Sequence, residues 1–243
     1  MPTTLWDLYA AWYDALRVLL PYMALQQHVI VAAALSPTDR LLNAGCATGN
    51  LEWLITRELP ELAIVAVDFS PKMLAHARAK NRHRTNISYR QADLCTQIPC
   101  ADASMDVAVM CNVLYALADG PAALAEVHRI LRPGGRLVLC DRLPESDHRA
   151  VARAHLAAVR ALPVAARLWQ WLKTLPALPA LACASYINVK IQEEYLHGNY
   201  HFYTAAEIGA LLERQGFSLL ATHSVYAEQN WLVVAERTSV SSI

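Results

Sequence analysis

The chain lacks a charge imbalance: 21 Lys and Arg stand against 21 Asp and Glu in 243 residues, so no basic field argues for a nucleic-acid partner. It also lacks a C-x-x-C pair. Its six cysteines, at 46, 95, 100, 111, 140 and 183, fall singly, several at the ends of predicted strands, where a small apolar residue packs well. They do not combine with histidine into a zinc-ligand set, so reduced thiols and no metal centre are expected. No uninterrupted apolar run approaches the about 18 residues of a spanning helix. No basic stretch precedes an apolar core after Met1, which predicts no secretory signal and a cytoplasmic protein. Internal repeats are absent too. What is left is a chain 55% hydrophobic, of a length that suits one α/β domain carrying an insertion.

The residues that are present speak first at Leu41-Leu42-Asn43-Ala44-Gly45-Cys46-Ala47-Thr48-Gly49-Asn50, an apolar strand leading through a small-residue turn into a helix. Small side chains there let the backbone approach a ligand at a sheet edge. A dinucleotide fingerprint would need G-x-G-x-x-G, but here Gly45, Ala47 and Gly49 are followed by no glycine three residues on, and no Lys-Ser/Thr pair completes a P-loop. By elimination the turn suits an adenosine ligand without phosphates. A nicotinamide-dependent oxidoreductase on a related sheet is the alternative that this spacing disfavours.

Ile64-Val65-Ala66-Val67 reads as a buried second strand ending at Asp68, whose carboxylate can accept both ribose hydroxyls while Phe69 packs on an adenine face. Asp68 can equally cap the helix opening at Ser70-Pro71. A third strand over Ile87–Ala92 stops at Asp93-Leu94, within reach of an adenine amino group. Met105–Met110 is a fourth, ending at Cys111-Asn112, and Arg136–Cys140 a fifth.

Taken in order, strand-GCATGN, strand-VDFSPKML, QADL, SMDVAVMCNVL and EVHRILRPGGRLVL resemble the class I S-adenosylmethionine-dependent methyltransferases, densely over residues 38–141. The resemblance implies an α/β fold: a Rossmann-like, doubly wound, seven-stranded, mostly parallel sheet closed by an antiparallel C-terminal hairpin. It implies S-adenosylmethionine as cofactor and S-adenosylhomocysteine as product. Cofactor contacts are then expected from Tyr13 in the covering segment LYAAWYD, from Asn43, Gly45, Cys46, Ala47 and Gly49, from Asp68, Phe69 and Met73, and from Asp93, Leu94, Cys111 and Asn112. Tyr115, after the fourth strand, is expected to face the acceptor. Asn43 departs from the family, which usually has an acidic residue there. A protein that binds the cofactor for regulation, without methyl transfer, is a further alternative.

The chain then divides into a helical cofactor cover (1–37, with Pro21 separating two pieces), the core (38–141), a helical insertion after strand five (142–203), and a C-terminal helix and hairpin (204–237). Between His148 and Gln192 no acidic residue occurs, while Arg149, Arg153, Arg160 and Arg167 fall within roughly a 60° arc of one helix. Leu175-Pro176-Ala177-Leu178-Pro179-Ala180-Leu181 reads as a proline-broken loop or short lid. Two readings fit 149–181: a helix lying on the inner membrane surface, tryptophans Trp169 and Trp171 near its end, or an ordinary helix with a solvated arginine face. The high hydrophobicity predicts a small hydrophobic or lipid acceptor, and nothing in the sequence fixes the oligomeric state. At the end of the insertion, Glu193–Tyr203 is dense in Glu, Tyr and His. It supplies His197 or His201 as a general base and Tyr195, Tyr200 and Tyr203 as acceptor walls, or else it is a surface connector.

Overall fold

The computed structural model describes residues 3–238. Helix α1 (Thr3–Ala10), a 3-10 turn over Tyr13–Val18 and helix α2 (Leu20–Ala33) precede the sheet, with Pro21 in the first turn of α2. The alternating core is β1 (Arg40–Ala44), α3 (Asn50–Glu58), β2 (Ala63–Asp68), α4 (Pro71–Lys80), β3 (Ile87–Gln91), β4 (Met105–Cys111), α5 (Gly120–Ile130) and β5 (Leu131–Arg142). Next come α6 (His148–Ala161), α7 (Val164–Leu196), α8 (Ala205–Arg214), β6 (Phe217–Val225) and β7 (Asn230–Arg237). Among the described residues, seven strands form one sheet in the order β3-β2-β1-β4-β5-β7-β6, parallel except where β7 pairs antiparallel with both β5 and β6. The predicted α/β architecture and terminal hairpin are therefore the observed ones.

Local chemistry sets the boundaries. Leu41, Leu42 and Ala44 of β1 and Val107 to Met110 of β4 are buried, as central parallel strands covered on both faces require. Ser70 caps α4 by accepting the Met73 amide at 3.1 Å, with Pro71 at the first helical position. Thr204 and Glu207 form a reciprocal capping box on α8. β5 begins earlier than the sequence suggests, at Leu131, because Leu131 already pairs with Met105 across a register shift.

The insertion differs most from expectation. α7 is a single helix of 33 residues that runs through Pro176 and Pro179, where a proline-broken loop was predicted. A proline leaves the carbonyl four residues earlier without its donor. Here those residues are Leu172 and Leu175, at 65% and 55% exposure, so the freed carbonyls belong to residues on the solvent side. Buried Thr174, Ala184, Ile187 and Ile191 hold the other side in place. The four-arginine face is also divided. Arg149, Arg153 and Arg160 lie exposed on α6, whose Val151, His155 and Val159 are buried on the opposite side, but Arg167 sits on α7 beyond the break at Leu162-Pro163.

Candidate active site

The carboxyl ends of β1 to β5 open onto one cavity, roofed by α1, the 3-10 turn and α7. At β1, Gly45 has φ +85°, and a Cβ there would meet the Val113 side chain at 2.5 Å, so only glycine allows this approach of chain to chain. The turn is tied to β2 by Gly45 N and Cys46 N, both donating to the Val67 carbonyl. Asp68 then completes it, accepting the Ala47 amide at 2.8 Å through one oxygen and the Ser70 amide at 2.9 Å through the other. Asp68 thus braces the loop that leads into α4, whose cap is Ser70, and also lines the cavity. Burial pushes its pKa up to about 6, against the backbone donors that favour the charge. A carboxylate holding two amides retains acceptor capacity for further donors.

Of the residues expected at the cofactor, Tyr13, Gly45, Ala47, Asp68, Phe69, Met73, Asp93, Leu94, Cys111 and Asn112 line this cavity. Asn43 and Cys46 line a smaller side cavity that shares Tyr13, Gly45 and Ala47 with it. Gly49 lines neither; with φ +73° it opens α3, packed close to Asn81, Ala77 and Tyr89. The departure at Asn43 has a structural counterpart. Its amide donates at 2.7 Å to Glu52, a fully buried carboxyl whose other oxygen has no hydrogen-bond partner among the described residues. Burial raises Glu52 to about 7. The asparagine that stands where the family usually has an acid is therefore bonded to a buried acid on α3, which lines neither cavity.

The cover is bolted down by polar bonds that sequence reading missed. Asp14 accepts from Thr48 Oγ1 and from Lys80 Nζ, both at 2.6 Å, and Asp7 accepts from Ser70 Oγ at 2.6 Å.

The acceptor assignments fare differently. Tyr115 lines the cavity and is buried. Tyr195 stacks on Phe202 with centroids 4.6 Å apart, and Tyr200 meets Tyr115 edge-on, so both pack behind the wall and outside its lining. Tyr203 also lies outside, accepting Trp231 Nε1 on its carbonyl and resting its hydroxyl near Gly120. His197 and His201 are exposed and absent from the lining, because α7 continues to Leu196 and carries the following residues to its outer end. The structure thus places both expected bases and three of the four expected wall residues outside the cavity lining. His197 and His201 stand four residues apart, yet among the described residues no three His, Cys, Asp or Glu side chains gather to hold a metal.

The wall is completed by residues that no local motif announced: Trp6 and Tyr9 of α1, Tyr22 of α2, Asn188 of α7, Arg142 at the end of β5, and Tyr226 in the β6–β7 turn. Asn188 donates to the Tyr9 hydroxyl at 3.0 Å. Burial pushes Tyr9 up to about 12 and Tyr115 and Tyr226 well above the ordinary phenol value, so all three stay neutral hydroxyls at physiological pH.

Comparison with known proteins agrees with this geometry. Residues 42–139 match the methyltransferase domain family. A demethylmenaquinone methyltransferase of Thermus thermophilus is 32% identical over 136 residues, covering 54% of this chain and 61% of that protein. A malonyl-acyl-carrier-protein O-methyltransferase of Hahella chejuensis is 36% identical over 113 residues, 45% of this chain and 38% of that one. The match thus spans less than two thirds of either relative. A S-adenosylmethionine-dependent methyltransferase structure from Aquifex aeolicus superposes with a TM-score of 0.61 at 17% identity, covering 93% of each chain, which is a likeness of fold.

Proposed function

The chain carries the core of a class I S-adenosylmethionine-dependent methyltransferase, and from that premise we propose that it methylates a small hydrophobic or lipid-like acceptor bound in the aromatic half of the strand-tip cavity. The observation that carries this reading is continuity: Asp93, Asp68 and Gly45 line the same space as Trp6, Tyr9 and Tyr115. Asp68 accepts the ribose hydroxyls, Asp93 the adenine amino group, and Phe69, Met73 and Leu94 supply the apolar adenine walls. Gly45 and Ala47 bring backbone close to the sulfur, and the side cavity with Asn43 and Cys46 takes the amino-acid end. Residues 1–37 act as cover, 38–141 as cofactor core, 142–203 as acceptor lid, and 204–237 as the closing hairpin unit.

The cofactor, when bound, supplies an electrophilic methyl carbon: as an acceptor lone pair closes on it, the S–C bond pair returns to sulfur and S-adenosylhomocysteine is left. The chain's share is alignment and exclusion of water, which are together worth about 7–11 kcal/mol where a near-attack geometry is enforced. The aromatic roof of Trp6, Tyr9, Tyr13 and Tyr115 serves both. Calorimetry should find binding of S-adenosylhomocysteine and none of NAD; the reverse would overturn the reading. Labelled methyl from the cofactor should then appear in the organic phase of a cell extract.

Peripheral contact with an anionic lipid surface is a second proposal, supported by α7 being inside out over its first half. Polar Gln170 and Thr174 are buried there, Gln170 donating to the Val18 carbonyl at 2.6 Å, while Val164, Leu168, Leu172, Leu175 and Leu178 are at least half exposed on roughly a 120° arc. Arg160, Arg167 and Lys173 lie in the same acid-free stretch, the composition of an interfacial helix. Among the described residues no helix is long and apolar enough to cross a membrane. The protein should sediment with phosphatidylglycerol vesicles and not with phosphatidylcholine, and Leu168→Glu/Leu172→Glu should abolish this with cofactor affinity intact. Equal sedimentation of wild type and variant would leave the helix simply solvated.

A further inference from the structure

We propose that Arg142 anchors an oxyanion subsite at the acceptor end of the cavity, so that the acceptor is an amphiphile with a ring or chain body and one carboxylate, phenolate or enolate oxygen. The inference rests on the methyltransferase reading and deepens it by naming the acceptor's charge.

Strand order supplies the first argument. The cavity crosses the sheet edge from Asp93 beyond β3, past Asp68 of β2, Gly45 after β1 and Asn112 after β4, to Arg142 at the end of β5. With neighbouring strands about 4.8 Å apart, Arg142 lies roughly 14 Å along the edge from Asp68 and roughly 19 Å from Asp93. One end of the cavity therefore carries two carboxylates and the other a guanidinium, the only Lys or Arg among the described lining residues. An anionic group is repelled from the first end and drawn to the second.

The surroundings of Arg142 supply the second. The residue is 6% exposed, its guanidinium held at 3.0 Å from Ser146 Oγ and lying over the Phe202 ring at 5.2 Å. Those contacts fix its plane, as an anchoring group needs. The neighbouring Asp141 directs its two oxygens to backbone amides, Tyr115 N and Arg142 N, both at 2.9 Å. The Arg142 charge is felt by Tyr9, Tyr115 and Tyr226. The phenols of this wall are neutral, so the group that meets an acceptor oxygen here is a cation flanked by hydroxyl donors, the arrangement that favours a charged oxygen over a neutral one. Tyr226 is held in this wall by a turn in which Tyr226, Ala227 and Glu228 all have positive φ, at 56°, 56° and 64°, a local strain that surrounding structure must maintain.

The test uses the protein saturated with S-adenosylhomocysteine and a pair of probes of one shape, 2-naphthoate and 2-naphthamide, in which an anionic acceptor group is replaced by a neutral amide. Calorimetry should find the acid bound about tenfold or more tightly than the amide. Arg142→Met should erase that preference, and Arg142→Lys should keep part of it, with S-adenosylhomocysteine affinity unchanged in both. Equal binding of the two probes to wild type overturns the proposal without any variant, as does failure of the acid to bind. A tenfold loss of S-adenosylhomocysteine affinity in Arg142→Met also overturns it, assigning the guanidinium to the cofactor's own carboxylate. Failure of wild type to bind S-adenosylhomocysteine at all would instead strike the methyltransferase reading beneath it.

Discussion

On the β3–β2–β1 side of the cavity, each functional group stands within two residues of a strand end: Gly45 follows Ala44, Asp68 closes β2, and Asp93 lies two beyond Gln91. On the β4–β5–β7 side the wall is gathered from α1, α7, the end of β5 and the terminal hairpin, over more than two hundred residues of chain. The first side is held by backbone amides bonded to one carboxylate, the second by aromatic packing among Tyr115, Phe202, Tyr195 and Tyr200. Directional bonds between near neighbours fix one geometry for a ligand that does not vary. A packed aromatic wall can be reshaped by substitution without disturbing the sheet, which is what a variable acceptor asks of a scaffold.

The largest expected effect breaks the comparison on its polar side. Asp68→Ala should remove two charge-assisted bonds to ribose hydroxyls, each about 1.5–3 kcal/mol, and so weaken S-adenosylhomocysteine binding at least about a hundredfold by calorimetry. The Ala47 and Ser70 amides lose their acceptor too, so the melting temperature should fall with it. Unchanged cofactor affinity would detach Asp68 from the ribose and leave bracing of the Ala47 and Ser70 amides as its whole role.

A smaller effect sharpens the same side. Glu52 is raised by burial to about 7, above its ordinary 4.5, so the folded chain holds this proton more tightly than the unfolded one. Its stabilisation is complete below pH about 4.5 and is lost as pH rises through about 7. Asp68 and Asp141, raised to about 6 and about 7 by the same burial, act in the same direction. Urea unfolding should show stability falling from pH 5 to 8, and Glu52→Gln should remove about 2–3 kcal/mol of that fall. An unaltered slope would assign the pH dependence to the two aspartates and mean that Glu52 binds its proton alike in the folded and unfolded chain.

How much was legible follows the same division. β1 to β4, the glycine turn and both aspartates could be read because small residues and β-branched runs act within a few positions of where they stand. Glu52 was missed although Asn43 pointed to it, since an amide replacing an acid suggests a second acid nearby only when the fold brings α3 over β1. Arg142 was missed by ending β5 two residues early, at Cys140; the register that sets Cys111 beside Cys140 puts Asp141 level with Asn112, and Arg142 is one residue further. Asn188 had no signal, because Pro176 and Pro179 argued against the helix that carries it. Trp6 and Tyr9 lay in a segment read as a cover, with no residue-level signal, because its packed face is set by α7 contacts far along the chain.

The smallest expected effect tests the packed side. His197→Ala and His201→Ala should each leave labelled methyl transfer into the organic extract within about twofold of wild type. Both imidazoles are exposed and outside the cavity. The part of His201 that does reach the wall is its backbone amide, donating to the Tyr115 carbonyl at 2.9 Å, and alanine keeps that bond. With neutral phenols along the wall and a guanidinium at its end, an acceptor that arrives as an oxyanion needs no base from the protein. A tenfold loss in either variant would mean that residues 197–203 fold over the acceptor in the working complex. The acceptor side would then draw a reacting group from one short, sequence-local segment, and the contrast between the two halves of the cavity would fail at the acceptor.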